Sequence, residues 1–344
     1  MIAIVVPTVG RTSLTTLLEA LAEQVGDRDE LEILLVDDRS VDGAELTVPG
    51  PLAAYTKVLR GRGGGPAAAR NLGWRATRQP WIAFLDDDVV PAPGWFAQLV
   101  ADLAVPGLVG GVQGRIRVPL PSDRRPTDWE RSTAALADGQ WITADMAYRR
   151  AALAAVGGFD ERFPRAYRED AELAHRVRRA GWHLVRGTRT VTHPVRAEGR
   201  WVTLRTQRGN ADDALLRRLY GPRWRTEIGV PAGRRRRHVA VTAAGALATT
   251  AVLARLALPT PVSAARTGGT RARRLLAVTA LTSGAGWLAG TASFARERIA
   301  PGPRDSAEIS AMLVTSALIP PLAVGHWLAG RWRARVHRPY GSSR

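Results

Sequence analysis

Residues 81–95 read WIAFLDDDVVPAPGW, five apolar positions followed by three adjacent carboxylates. A short apolar run that stops abruptly at acids is the pattern of a buried strand reaching the edge of its sheet. Three neighbouring anions repel one another, and solubility alone would need only one. Either the acids form a solvated turn, or they hold a divalent cation through hard oxygen ligands. A cation would relieve the repulsion and leave positions open for a diphosphate.

The same pattern recurs upstream. IAIVVP (2–7) and EILLVDD (32–38) are apolar runs ending in breakers or acids, and LTTLLEALAEQ (14–24) between them has helical spacing. TKVLRG (56–61) adds another strand, and AAARNLGWRAT (67–77) a helix before the 81–85 strand. Repeated β-α-β order predicts a largely parallel sheet with helices on both faces. Ligands of such sheets gather at the carboxyl ends of the strands, where Asp37-Asp38 and Asp86-Asp87-Asp88 both fall. Further on, GLVGGVQGRIRV (107–118) reads as a strand. WITADMAYRRAALAAVGGFDERF (141–163) reads as a strand end, a helix and a Gly-Gly turn. REDAELAHRVRRAGW (168–182) predicts a helix that opens on acids and closes at Gly181, as the helix dipole and C-capping favour. HLVRGTRTVTHPV (183–195) returns as a strand carrying His183 and His193.

Composition narrows the classes. The 344 residues are 45% hydrophobic and contain no cysteine, so disulfides and thiolate metal sites are excluded. MIAIVVPTVGR lacks the basic region and length of a signal peptide and reads as a first strand. The net charge of +18 suggests nucleic acid at first sight. Its distribution argues against that partner: residues 231–344 carry 17 Arg and three acids, leaving about +4 for residues 1–230. The excess flanks three apolar runs, at 239–254, 275–294 and 309–328, as membrane-bordering arginines do. The second and third runs are uncharged and long enough to cross a bilayer. The first is compatible with a crossing, an interfacial helix or one limb of a hairpin. Crossing by the last two alone keeps every Arg-rich stretch cytoplasmic and exports loop 295–308, so two spans with an interfacial first segment are expected. Burial of all three in a soluble domain is the alternative.

VVPTVGR (5–11), LLVDDRSVDG (34–43), GPAAARNLG (65–73), WIAFLDDDVVPAPGW and VGGFDERFPRAYREDAELAHRVRRAGW (156–182), in this order, resemble family 2 glycosyltransferases over roughly residues 1–200. That resemblance implies an α/β protein of GT-A type, with a mainly parallel sheet flanked by helices. A catalytic domain at 1–230 would be followed by an Arg-rich membrane region at 231–344 with two to three apolar helices. It implies inverting sugar transfer from a nucleotide-sugar donor with a divalent cation, Mg²⁺ or Mn²⁺. Asp38, with Asp37 beside it, matches the acids that read the nucleoside; capping of a turn with Ser40 and Asp42 is the other reading. Thr8, Arg11 and Asn71 match the nucleotide-sugar edge, near Gly63-Gly64-Gly65. Asp86, Asp87 and Asp88 match the DXD motif. Asp88 is the expected metal ligand, Asp86 a second, and Asp86 or Asp87 meets ribose or a metal-bound water. His193 matches a histidine that completes the metal shell, and imidazole suits Mn²⁺ better than Mg²⁺. Glu169-Asp170 matches the acid pair that supplies the base, Asp170 first and Glu169 second, although acids favour a helix's first turn in any case. Asp145 matches a polar residue facing donor sugar or acceptor.

The chain departs from the processive members, which carry a Q-x-x-R-W motif. WVTLRTQRGNADDALLRRLYGPRWR (201–225) has none, which implies single addition; this stretch reads either as an interfacial helix near an acceptor lipid or as a solvated helix. The expectation is therefore a multi-pass cell-membrane enzyme with a cytoplasmic catalytic domain. It would move sugar to a hydroxyl of a lipid-linked or cell-envelope glycan acceptor. Two rivals remain at this stage. A nucleotidyl- or phosphoryl-transfer enzyme would want a lysine near phosphate, and Lys57, the sole lysine, lies outside any such signature. The other is a non-enzymatic basic membrane-binding protein.

Overall fold

A computed structural model describes residues 1–25, 31–41, 43–258, 267–338 and 340. Asp42 and Arg266 lie outside the described residues. The chain divides into two compact units, the first comprising 1–120, 130–197 and 223–230, the second 121–129, 198–222 and 231–344.

In the first unit, eight described strands form one mixed sheet: β1 Ile2–Thr8, β2 Leu31–Asp37, β3 Thr56–Arg60, β4 Trp81–Leu85, β5 Val90–Pro91, β6 Val109–Arg117, β7 Asp145–Arg149 and β8 His183–Thr192. Their order is β3-β2-β1-β4-β7-β6-β8-β5. β3, β2, β1 and β4 are parallel, the core the sequence predicts. β7 departs from that pattern, running antiparallel between β4 and β6, and β5 is antiparallel to β8. Helices α1 Ser13–Val25, α2 Gly50–Ala53, α3 Pro66–Arg75, α4 Trp95–Asp102, α5 Asp128–Ala134, α6 Arg150–Val156 and α7 Glu169–Arg179 alternate with the strands, α5 belonging to this unit from Glu130 onward.

Period-2 alternation sends Ile2, Ile4 and Val6 to one face of β1 and Ala3 and Val5 to the other, and both faces are covered. Leu17, Leu18 and Leu21 of α1 and Trp95 and Leu99 of α4 pack on the first face. Ala69 and Trp74 of α3 and Leu173 and Val177 of α7 pack on the second. A sheet buried on both sides explains why its strands read as continuous apolar runs. α3 sits very close to β1, since a Cβ on Gly73 would collide with Val5. β1 lies where the chain order reverses, β2 on one side and β4 on the other, which opens a crevice at the strand ends.

The second unit contains α8 Val202–Arg205, α9 Asn210–Tyr220, α11 Arg235–Ala257, α12 Thr267–Ile299 and α13 Ser306–Arg333; α10 Trp224–Ile228 belongs to the first unit. α11, α12 and α13 are each long and apolar enough to cross a membrane. α11 and α12 pair antiparallel along a seam of small residues, where Gly290 meets Val241 and Gly245 meets Trp287.

Candidate active site

The carboxyl ends of β2, β1 and β4 set the site. Beyond β2, Asp38 is held by its own amide, which donates to the Thr8 carbonyl at 2.8 Å. Its two carboxylate oxygens accept from the Gly64 and Gly65 amides at 3.1 and 2.7 Å. Asp38 thus fixes the glycine loop that opens α3. Gly65, at φ +87°, admits no side chain because a Cβ would strike the Pro164 carbonyl of the loop before α7. Asp37 is buried and clamped by Arg39 Nη2 at 2.6 Å and Arg60 Nη1 at 2.8 Å. Chiefly the Arg39 hydrogen bond holds its carboxyl down at about 2.

The three acids after β4 have three different settings. Asp87 is bound from β1's end by Thr8 Oγ1 at 2.7 Å and Arg11 Nη1 at 2.6 Å. Asp86 accepts from Arg70 Nη2 at 2.7 Å. Asp88 has looser company, His193 Nε2 at 3.5 Å and Arg196 Nε at 3.4 Å. Burial, then the neighbouring Asp86, raises the Asp88 pKa.

His193 follows β8, its amide donating to the Arg117 carbonyl at 2.7 Å. Its Nδ1 lies 3.2 Å from the Pro194 carbonyl oxygen, which can only accept. That contact places a proton on Nδ1, while Nε2 faces the Asp88 carboxylate. A carboxylate oxygen and an imidazole nitrogen 3.5 Å apart are donor types that divalent cations take, so these residues fit a divalent metal. Among the described residues no three His, Asp or Glu side chains form a metal-holding group, so Asp86 does not complete a cage with Asp88 and His193. A Mg²⁺- or Mn²⁺-type ion is commonly held by one or two protein groups, with substrate phosphates and water completing the shell.

Arg70 joins the strand-end acids to the helix-start acids. It is 2% exposed, with Nη2 on Asp86 and Nη1 on Glu169 at 2.9 Å, and lies over the Phe159 ring. Glu169 is buried, and burial followed by the adjacent Asp170 lifts its pKa to about 7. Asp170 is more open; its Oδ1 accepts from the Ala171 amide at 2.7 Å, and loss of hydration raises its pKa as well. Arg168, immediately before the pair, turns the chain at φ +73°, a strained setting for a side-chain-bearing residue and one that recurs at functional sites.

Two expected residues are engaged elsewhere. Asn71 Oδ1 accepts from Trp74 Nε1 and the Phe159 amide, and Nδ2 donates to the Phe159 carbonyl and Glu161. Three of these four bonds brace the 158–161 turn and the fourth ties Trp74, so the side chain is fully engaged within the fold. Asp145 is wholly buried, its oxygens taken by Trp95 Nε1 at 2.9 Å and Arg189 Nε at 2.7 Å. It presents no surface to a sugar. Lys57 pairs with Glu32 along β3 and β2.

Arg70 and Arg189 escaped the sequence reading. In a chain so rich in arginine, residue type carries little signal, and their partners lie up to 99 residues away. The one available cue for Arg70 was its place inside an otherwise apolar helix face, between Ala69 and Trp74.

Comparison with known proteins bears on this arrangement. Residues 3–167 match the family described as Glycosyl transferase family 2. Over these residues, just under half of the chain, it is similar to that family. It is 33% identical over 133 residues to the pre-mycofactocin glycosyltransferase of Mycobacterium tuberculosis, in strains CDC 1551 / Oshkosh and ATCC 25618 / H37Rv. That match covers 35% of this chain and 28% of the length of each relative. A mannosyltransferase from Pyrobaculum calidifontis, solved with GDP-Man and Mn²⁺, superposes with a TM-score of 0.52 at 18% identity. The superposition covers 95% of this chain and 86% of that one and shows a shared fold of GT-A type.

Proposed function

We propose that this glycosyltransferase moves a sugar from a nucleoside-diphosphate sugar to a hydroxyl, with inversion at the anomeric carbon and the help of a divalent cation. The observation that carries the proposal is one chain of contacts. Asp38 fixes the glycine loop beside Thr8, Thr8 holds Asp87, and Asp86 reaches Glu169-Asp170 through Arg70. Carboxylates from β2, β4 and α7 thereby share one sheet edge. The metal and donor found with the mannosyltransferase of the same fold support the reading.

In this scheme Asp37 and Asp38 shape the nucleoside end, with Thr8, Arg11 and Asp87 alongside. Asp88 and His193 would hold the cation. When bound, the cation supplies charge stabilisation to the departing diphosphate. The acceptor oxygen attacks the anomeric carbon as its proton passes to Asp170, and the bond from that carbon to the diphosphate oxygen breaks. The electron pair leaves with the nucleoside diphosphate. Asp170 serves better than Glu169 because it is less buried, and its raised proton affinity suits a general base. The three long apolar helices support a membrane-attached enzyme, with a cytoplasmic catalytic domain and a lipid-linked or envelope-glycan acceptor.

Full-length protein in detergent, incubated with a panel of nucleotide sugars and lipid extract, should release nucleoside diphosphate. Asp88→Ala and Asp170→Asn should both abolish that release. Undiminished turnover in both variants would refute the assignment of roles.

A further inference from the structure

The hydrogen bonds that tie the long helices to two short segments constrain how the chain meets a bilayer. Segment 121–129 leaves the first unit at Leu120 and re-enters it at Glu130. Nine residues cannot cross a bilayer and return, since one helical crossing takes about 20. Segment 198–222 likewise lies between residues 197 and 223 of the first unit. Its 25 residues are too few for two crossings and include Arg205, Arg208, Asp212, Asp213, Arg217 and Arg218. Both segments therefore stay on the side of the membrane where residues 120, 130, 197 and 223 lie.

Each segment holds one end of α13. At its start, the Glu308 carboxylate accepts from the Asp128 amide at 2.9 Å. The preceding turn is held too, Arg125 Nη1 donating to the Ala300 carbonyl at 3.4 Å. Arg298, 5% exposed, gathers Asp128, Thr203, Thr315 and Ser316 around one guanidinium. Past its far end, Arg218 Nε donates to the His337 carbonyl at 2.9 Å and the Tyr340 amide donates to Leu219 at 3.0 Å. In between, Gly330 lies so close to the Ala211 backbone that a Cβ would collide with it. Ala311, Thr315, Ile319 and Ala323 form the covered stripe, while Leu313, Val314, Leu318, Leu322 and Trp332 are exposed.

The α11–α12 hairpin differs. Its register runs unbroken from Arg237–Glu297 at one end, 2.6 Å, to Arg273 Nη1 on the Leu258 carbonyl at the other, 2.9 Å. That stretch of α11 is about 32 Å long at 1.5 Å per residue, close to the hydrocarbon core of about 30 Å. Leu247, Val252, Leu253, Leu275, Leu281 and Leu288 stay exposed along it. Its Glu297 end adjoins Arg298, and so belongs to the side that holds segment 121–129.

We propose that α11 and α12 cross the membrane as a hairpin, whereas α13 does not cross and lies along the near leaflet with its apolar face in the lipid. Loop 295–308 is then not exported, and the crossing pair differs from the one the apolar runs alone predict. Charge agrees. The arginines at 234–237, Arg296, Arg298, Arg304, Arg331, Arg333, Arg335 and Arg338 share the near side, against Arg255, Arg271, Arg273 and Arg274 at the far end.

The absence of native cysteine makes the test clean. Single cysteines replace exposed Arg78, Thr270, Arg304 and Arg338 in the full-length protein in sealed membrane vesicles, labelled from outside with a membrane-impermeant maleimide. Arg78→Cys, Arg304→Cys and Arg338→Cys should label together in one vesicle orientation and lose labelling in the other, with Thr270→Cys showing the reverse. Arg338→Cys labelling with Thr270→Cys would show that α13 crosses. Arg304→Cys opposite to Arg78→Cys would restore the exported loop. All four labelling from one side would show that the hairpin does not cross. Any of these three results overturns the proposal, and none depends on the transfer activity.

Discussion

Asp88 and Asp145 are two buried aspartates on neighbouring strands, and their differences separate a site from a scaffold. Asp145 pairs in register with Leu85, three positions before Asp88. Both lose hydration, which raises both pKa values. Asp145 recovers the loss through close bonds from Trp95 and Arg189. Asp88 meets only an imidazole and a guanidinium at 3.4–3.5 Å. A buried carboxylate with close partners on both oxygens holds a fold together. One with loose partners, at a strand end, keeps its lone pairs for something that arrives.

That contrast can be broken at several points. Asp88→Asn and Asp170→Asn should have the largest effects, Asp170→Asn lowering kcat by about 10²–10⁴-fold with little change in donor affinity, as loss of a general base requires. An equal loss in Glu169→Gln with Asp170→Asn active would move the base by one residue. Asp145→Ala should lower the urea midpoint, since Arg189 loses its 2.7 Å partner and keeps Asp102 at 3.2 Å and the Val112 carbonyl. Asp88→Asn should leave that midpoint nearly in place while abolishing turnover. Reversed behaviour of the two would dissolve the distinction between them. Arg70→Lys keeps the charge and loses the two-pronged reach to Asp86 and Glu169. A displacement of about 1 Å at the acid pair predicts roughly a 10²-fold fall in kcat.

The smallest expected effect concerns acid stability at Asp37. Its folded-state carboxyl sits near 2 against an ordinary 3.8. The Arg39 and Arg60 bonds therefore contribute stability that is fully present above 3.8 and is lost as pH falls towards 2. Asp37→Asn should be less stable at neutral pH and should show a shallower decline between those two values in thermal melts. An unchanged acid limb would mean the clamp contributes nothing.

The strand ends were legible because an apolar run that stops at acids is rarely anything but a buried strand meeting its sheet edge, and β2 and β4 stop that way at Asp37 and Leu85. The helix opening at Glu169 was legible from its acids and from Gly181 beyond it. The antiparallel insertion of β7 was not, because strand direction follows from the path of the chain between 118 and 145 and leaves no mark in five residues. Asn71 and Asp145 carried the right residue types for a site. What their side chains bond to is decided by Phe159 and Arg189, 88 and 44 positions along the chain. Asp38 lies at the crevice, and its bonds to the Gly64 and Gly65 amides, 26 and 27 positions along, left no mark in its own neighbourhood.

Whether a cation at Asp88 carries the donor is tested most directly by calorimetric titration of the full-length protein with UDP and GDP, with Mn²⁺ and with EDTA, in the native sequence and in Asp88→Asn. One of these diphosphates should bind, EDTA should remove the binding, and Asp88→Asn should lose it while remaining folded. Diphosphate binding that survives both EDTA and the loss of Asp88 would contradict a cation-held pyrophosphate at this strand end.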